Sequence, residues 1–500
     1  MGEKINSLKQ RWARIHTLEQ ATAVLQWDME TYMPEEGVNA RAEHLSLLSE
    51  IAHQWLISDE TARIIEDAEN EIEGDYFSDD VSMVRVARRL YEREAKIPLD
   101  LVSRMARTTA KANSVWIKSR QESDFSSFAP ILEEVIGMNR EKAECLGYRE
   151  HIYDALLDLY EPEYTTRQVE DLFSGLKISL LELLNRIRES RVASDSGFLR
   201  QQFPVEKQEE FGLMVLLNMG YNFKRGRQDR SAHPFTTSFS PYDVRITTRF
   251  SEDDLLSALF STVHEGGHAL YEQGLPIGLL GTPLCQSISL GVHESQSRLW
   301  ENIVARSRGF WKKYLPSLKD IFSPRLDSVG LETFYRAINR VSPGLIRVES
   351  DEVTYNLHIM IRFDLEKELI SGNMAVSDIP EAWNSRYKEY LGIEPEDDAS
   401  GCLQDIHWAH GAFGYFPTYT LGNLFAAQLF DRALRDIPLI TDDIEKGDFT
   451  GLLGWLRENI HSAGFRYTPA ELAGKVTGSI INPDYFIKYL NDKFSEIYEI

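Results

Sequence analysis

His264 and His268 stand four residues apart in STVHEGGHALYEQG (261–274), and Glu265 directly follows the first. Four residues is about one helical turn, so on a helix both imidazoles project from one face and can share one cation. Glu265 lies about 100° further round, where it reaches a water on that cation without becoming a ligand. In this arrangement zinc lowers the pKa of its water to roughly 7 and a glutamate removes the proton. The competing reading is two histidines satisfied by ordinary hydrogen bonds on a buried helix face. Five residues do not decide between the two; a third ligand does.

One zinc-peptidase pattern requires glycine at 271 and histidine at 274. The chain has Tyr271 and Gly274 there and is not of that kind. The other common arrangement takes a glutamate from a second helix downstream. LGVHESQSRLWENIVARS (290–307) reads as such a helix, and Glu294 near its start is the assigned third ligand. His293 is its competitor, and Glu301, two turns on, is expected on nearly the same face. Two histidines plus a carboxylate leave a coordination position open for water, as catalysis needs and a closed structural site does not. Gly266 and Gly267 each cost roughly 1 kcal/mol of helix propensity against alanine. That cost makes sense if substrate or a neighbouring element approaches closely at these positions.

Two further stretches carry polar chemistry. GCLQDIHWAHGAFGYFPTYTLG (401–422) gathers His407, His410, Tyr415 and Tyr419 in a glycine-rich aromatic run. It is either a tight turn packed on a core or a source of neutral donors for a tetrahedral oxyanion. In LIRVESDEVTY (345–355), Arg347 is either a fork for a carboxylate or half of a structural ion pair with Glu349, Asp351 or Glu352.

The elements that must hold these residues are mostly helical. Apolar residues recur at helical spacing in INSLKQRWARIHTLEQATAVLQW (5–27), LVSRMARTTAKANSVWIKS (101–119) and QVEDLFSGLKISLLELLNRIRES (168–190). Turns are expected at Pro34, Gly37, Pro98 and Gly147. The exception is HPFTTSFSPYDVRITTR (233–249), whose β-branched and aromatic content and central Ser-Pro predict a short hairpin. Ser251 then caps the motif helix, with Asp254 at capping-box spacing. No repeat period or flexible linker marks a boundary, so the expectation is one domain over 1–500. Its two lobes would be about 1–225 and about 226–500, the second carrying the metal site.

The 500 residues are 43% hydrophobic and 26% charged, the composition of an ordinary globular chain. A net charge of −24 repels phosphate backbones and anionic lipid, so neither nucleic acid nor membrane is an expected partner. No apolar run is long enough to span a bilayer, and the N-terminus has no secretory apolar core. Three separated cysteines, Cys145, Cys285 and Cys402, fit a reducing cytoplasm better than a disulfide framework.

By these motifs and their order, the sequence resembles the carboxypeptidase Taq family of zinc metallocarboxypeptidases, nearly end to end. HPF (233–235), DVRIT (243–247), HEGGH (264–268), HESQ (293–296), IRVESD (346–351) and GCLQDIHW (401–408) appear in the family's order. AVLQWDMETYMPEEG (23–37) is similar to its opening. Serine in IRVESD stands where alanine is commoner, an exchange the family tolerates. The resemblance implies a mainly α, saddle-shaped fold with a deep groove, a small β-sheet beside the active-site helix, and a homodimer. It also implies release of single residues from peptide C-termini, broad in side chain and poor on proline, with one Zn2+ per chain and Co2+ or Mn2+ as substitutes. Residue by residue, His264, His268 and Glu294 match the zinc ligands and Glu265 the general base. Comparison with more distant helical oligopeptidases assigns Tyr415 to the oxyanion and His407 to substrate near the scissile bond. Arg347 is the first choice for the terminal carboxylate and Arg245 the second. His233, Gln404, Asp405, Tyr419 and His410 are carried as substrate-side residues. The alternatives are an oligopeptidase cutting inside short peptides, and a peptide-binding protein with structural zinc.

Overall fold

The computed structural model describes residues 2–192 and 196–500. Among them the chain forms 20 α-helices and one three-stranded sheet, so the fold is mainly α as expected. The three periodic segments lie within helices Glu3–Thr31, Leu99–Glu122 and Thr166–Glu189. Pro98 sits at the N-cap of the second, and Gly147 ends the helix Phe125–Leu146 at φ 81°. The third starts on a reciprocal cap, Thr165 with Gln168. None of the helices is long and apolar enough to cross a membrane.

A small apolar cluster joins Ile5, Leu8 and Trp12 to Ile65, Ala68 and Met83 and reaches Leu284. The main cluster extends from Ala112 to Tyr498, crossing position 225 where the sequence reading divides two lobes.

Strands β1 (Gln228–Arg230), β2 (Phe235–Ser240) and β3 (Asp243–Thr248) lie in the order β1-β3-β2. The pair β2–β3 is the expected hairpin, antiparallel, with an irregularity between Ser238 and Ser240. Strand β1 adds to it in parallel; its three residues QDR carry no alternation by which sequence could announce them. Both β2 and β3 pack on the motif helix, Leu255–Gly274. The cap of that helix differs from expectation. Asp254 is the N-cap and accepts from Ser257 N, whereas Ser251 is held outside by its carbonyl, which accepts from Gln208 Nε2.

The two glycines of the motif have a packing cause. A Cβ on Gly267 would lie 2.7 Å from Ser297 Cα and 2.8 Å from the Gln296 carbonyl oxygen, and one on Gly266 2.5 Å from Leu216 Cδ2. At Gly267 the neighbour is the helix Leu290–Arg298, meeting the motif helix backbone to backbone; at Gly266 it is the Leu216 side chain of helix Val205–Met219. From a third side, a Cβ on Gly422 in helix Pro417–Asp436 would lie 2.7 Å from Glu294 Cβ. After Arg298 the chain does not continue as a uniform helix; it widens into a π turn over Leu299–Val304.

Helix Tyr355–Ser371 buries Glu366, whose Oε2 accepts from Tyr153 OH (2.6 Å) and Gly414 N (3.0 Å) and whose Oε1 accepts from Trp408 Nε1 (2.8 Å). Burial pushes this carboxyl from 4.5 up to about 7. A folded pKa above the unfolded one favours the fold fully below about pH 4.5, and that contribution is lost as pH rises through 7. Glu366→Gln removes this titration. Its thermal midpoint should therefore improve relative to the parent between pH 5 and pH 8.5, by the equivalent of roughly 1–3 kcal/mol. A difference between the two proteins that stays constant across that range would show that Glu366 does not titrate there.

Candidate active site

The ligand atoms of His264, His268 and Glu294 all lie within 4.8 Å of one another. His264 Nε2 and His268 Nε2 stand 3.6 and 3.4 Å from Glu294 Oε2. The opposite side of each group is also engaged. His264 Nδ1 is 2.9 Å from Glu301 Oε2. His268 Nδ1 is 2.5 Å from His293 Nδ1, and His293 Nε2 is 2.9 Å from Glu272 Oε1. Glu294 Oε1 accepts from Arg298 Nε at 2.6 Å, and Ser297 Oγ donates to Oε2 at 3.1 Å. His293 is thus a partner of His268, not a member of the converging set. Glu301, carried on the π turn, backs His264 and shares Arg298 with Glu294.

Two imidazole nitrogens and one carboxylate oxygen, each fixed from behind, suit a divalent cation and leave a coordination position open. The charges agree. Burial opposes ionisation of Glu294, yet Arg298, then His264 and His268, hold its carboxyl well below the usual range. Burial likewise opposes ionisation of Glu301, and Arg298 with His264 brings it to about 2. Burial lowers His264, but Glu294 and Glu301 overcome that and raise it, so this spot favours positive charge.

Glu265 is buried, and Thr236 Oγ1 on β2 lies 2.7 Å from its Oε2 and 3.0 Å from its carbonyl oxygen. The hairpin therefore has a local task, holding this carboxylate in one rotamer. Burial pushes the Glu265 carboxyl up, against the pull of His264 and the Thr236 hydrogen bond.

These groups open on a cleft of about 980 Å³ whose lining also includes Arg347, Tyr415 and Tyr419. Arg347 is buried in an ion pair, but its partner is Asp405, not Glu349, Asp351 or Glu352. Its Nε and one terminal nitrogen lie 3.0 and 2.8 Å from Asp405 Oδ1, and Arg362 Nε lies 2.7 Å from Oδ2. Asp351 is taken up by capping Thr354, and Glu352 pairs with Lys493 at 3.0 Å. Gln404 Oε1 accepts from Arg347 N and from the Arg362 guanidinium. Gln404 and Asp405 thus brace the arginine from behind the cleft wall. Despite burial, Arg347 and Arg362 keep the Asp405 carboxyl far below its ordinary range.

The Tyr415 ring meets those of Tyr160, His407 and Tyr419 at 5.2, 5.3 and 5.4 Å. Burial pushes the Tyr415 phenol up, so it is a donor at neutral pH. His407 is not in the cleft lining. It stands behind, its Nε2 3.3 Å from Tyr419 OH and its ring on Phe416, and burial lowers it to about 3. His410 is exposed and outside the lining, and His233 is exposed next to Pro234, which does line the cleft. Arg245 also lies outside, paired with Asp243 at 2.8 Å and stacked on Trp27 and Phe239. Sequence reasoning did not find Thr236, Glu272, Arg298 or Arg362. Their partners are distant or isolated in sequence, and only the arginine four residues after Glu294 carries a helical-spacing signal.

A family model described as carboxypeptidase Taq (M32) metallopeptidase matches residues 7–494. The chain is 43% identical over 487 residues to "Thermostable carboxypeptidase 1" of Thermus thermophilus, covering 95% of each. It is 40% identical over 485 residues to "Carboxypeptidase 1" of Bacillus subtilis, covering 97% of each. Among solved structures, an M32 carboxypeptidase from Deinococcus radiodurans superposes with a TM-score of 0.97 at 37% identity, over the whole of both chains. A Pyrococcus furiosus carboxypeptidase does so with 0.96 at 39% identity, over 99% of each. Matched from end to end in both sequence and fold, this chain belongs to the carboxypeptidase Taq (M32) family of metallopeptidases, whose members hydrolyse peptides.

Proposed function

We propose that this protein is a zinc-dependent carboxypeptidase that releases single amino acids from peptide C-termini, with broad side-chain tolerance and poor action on proline. The observation that carries the reading is the convergence of His264, His268 and Glu294 beside Glu265, a carboxylate clamped by Thr236. The three would hold the ion, which when bound supplies a Lewis acid and acidified water. Glu265 takes a proton from the attacking water and returns it to the leaving amine. The Tyr415 hydroxyl donates a hydrogen bond to the oxyanion that forms at the scissile carbonyl. His407, placed behind Tyr415 and Tyr419, acts on substrate through those phenols.

Arg347 grips the terminal carboxylate with the donor capacity that Asp405 and Tyr355 leave over. Charge-assisted bonds of this kind contribute about 1.5–3 kcal/mol. The protein acts as one peptidase domain and as a homodimer, by the family pattern. Its three free cysteines support a reducing, cytoplasmic setting.

The test uses an N-blocked hexapeptide as free acid and as C-terminal amide, with and without chelator. Single residues should be lost stepwise from the acid only, and chelator should stop the reaction. On the acid, Arg347→Gln should lower kcat/KM by about one to two decades. Internal cuts in both peptides would make the protein an oligopeptidase and remove Arg347 from the recognition role. No cleavage of either peptide after metal is restored would favour the binding-protein reading.

A further inference from the structure

The stretch Tyr153–Glu161, from the first half of the chain, runs behind both walls of the site. Tyr153 bonds Glu366. The backbone at Leu156 lies where a Cβ on Gly414 would come within 2.6 Å. The Tyr160 ring meets Tyr415 edge-on. Glu161, 1% exposed, accepts from Gly291 N with its Oε1.

The last contact bears on the metal. A helix starts with N–H groups that have no partner inside it, and helix Leu290–Arg298 presents Glu294 from its second turn. Its first donors are shared out as Leu290 N to the Tyr160 carbonyl (3.2 Å), Gly291 N to Glu161 Oε1, and Val292 N to Ser289 Oγ (3.0 Å). Two of the three partners come from 130 residues earlier in the chain. Gly291 is also matched in shape to Glu161, because a Cβ there would lie 2.8 Å from that same oxygen. Glu161 does not line the cleft and takes no part in the reaction described above.

We propose that Glu161 is a positioning residue for the metal site. It anchors the start of the helix that presents Glu294, while the adjoining Tyr160 braces Tyr415, so one segment sets the metal and the oxyanion donor relative to each other. The proposal rests on the reading of His264, His268 and Glu294 as the metal ligands.

The test is competition for Zn2+ against a chromophoric chelator, together with visible absorption of the Co2+-loaded protein. The parent, Glu161→Ala, Glu161→Gln, Gly291→Ala and His264→Ala are compared, each checked for fold by circular dichroism. Glutamine keeps an oxygen for Gly291 N and should bind Zn2+ within about threefold of the parent. Alanine leaves that donor buried and unpaired and should weaken Zn2+ binding about 10- to 100-fold, the range for residues that support metal ligands, with a shifted Co2+ spectrum. Gly291→Ala should weaken binding in the same direction, and it carries the comparison if Glu161→Ala does not fold. Parent-like affinity in folded Glu161→Ala, or in Gly291→Ala where that variant stands in, overturns the proposal. So does a glutamine variant as weak as alanine. If His264→Ala itself binds Zn2+ like the parent, the ligand reading fails first and takes this proposal with it.

Discussion

Glu265→Gln should lower kcat for peptide hydrolysis by about a thousandfold and leave metal content unchanged. The amide has the length and shape of the carboxylate, and Thr236 Oγ1, 2.7 Å from Oε2, can hold it in the same rotamer. It cannot accept a proton, and general-base contributions run to about 10²–10⁴-fold. Metal content should not follow the rate, because Glu265 is outside the converging set of His264, His268 and Glu294. The pH profile gives a second check. Glu265 must be ionised to act as a base, and burial pushes its carboxyl up from 4.5, so kcat/KM of the parent should fall toward acid pH, on a limb that lies above the ordinary glutamate value. The residual rate of the glutamine variant should lack the part of that limb that belongs to Glu265. Activity within tenfold of the parent, at equal metal content measured by mass spectrometry, would remove Glu265 from the mechanism.

Gly267→Ala tests the packing account in the opposite sense to helix propensity. By propensity alone, the substitution favours the motif helix by about 1 kcal/mol. By packing, the added methyl meets the backbone of Ser297 at 2.7 Å and of Gln296 at 2.8 Å, atoms that cannot rotate away. Relieving the overlap requires the Leu290–Arg298 helix to back off, and Glu294 moves with it. Overpacking of this kind costs about 1–3 kcal/mol. The variant should therefore lose thermal stability and bind metal at least tenfold more weakly, since ligands held on facing helices separate together. Higher stability with parent-like metal affinity would mean that the two helices can adjust without moving the site.

The metal centre was legible in sequence because all three converging residues fall within 31 positions, on two helices with ordinary periodicity and one dominant motif. The hairpin was legible from its alternation, and its purpose was not, since nothing in FTTSFS singles out Thr236. Arg347 stood out as the one cation among acids, but the three acids nearest in sequence are taken by Thr354, Lys493 or solvent. Its partner Asp405 is 58 residues away. Glu161 carried no mark at all: a lone glutamate between a tyrosine and a proline reads as solvated until the fold places Gly291 against it. Periodicity reports which face of an element is buried; it does not report which buried group meets which.

The π turn after Arg298 bears on how such a site could change by length mutation. A wider turn holds one residue more than an α-helical turn of similar rise, so it is the kind of feature that a single-codon deletion removes. With one residue removed between Glu294 and Glu301 and the segment restored to α geometry, the two would stand six residues apart, about 240° round the helix, and His264 would lose its backing carboxylate. One residue of helix length therefore decides whether the first histidine of the motif keeps the acid that fixes its ring.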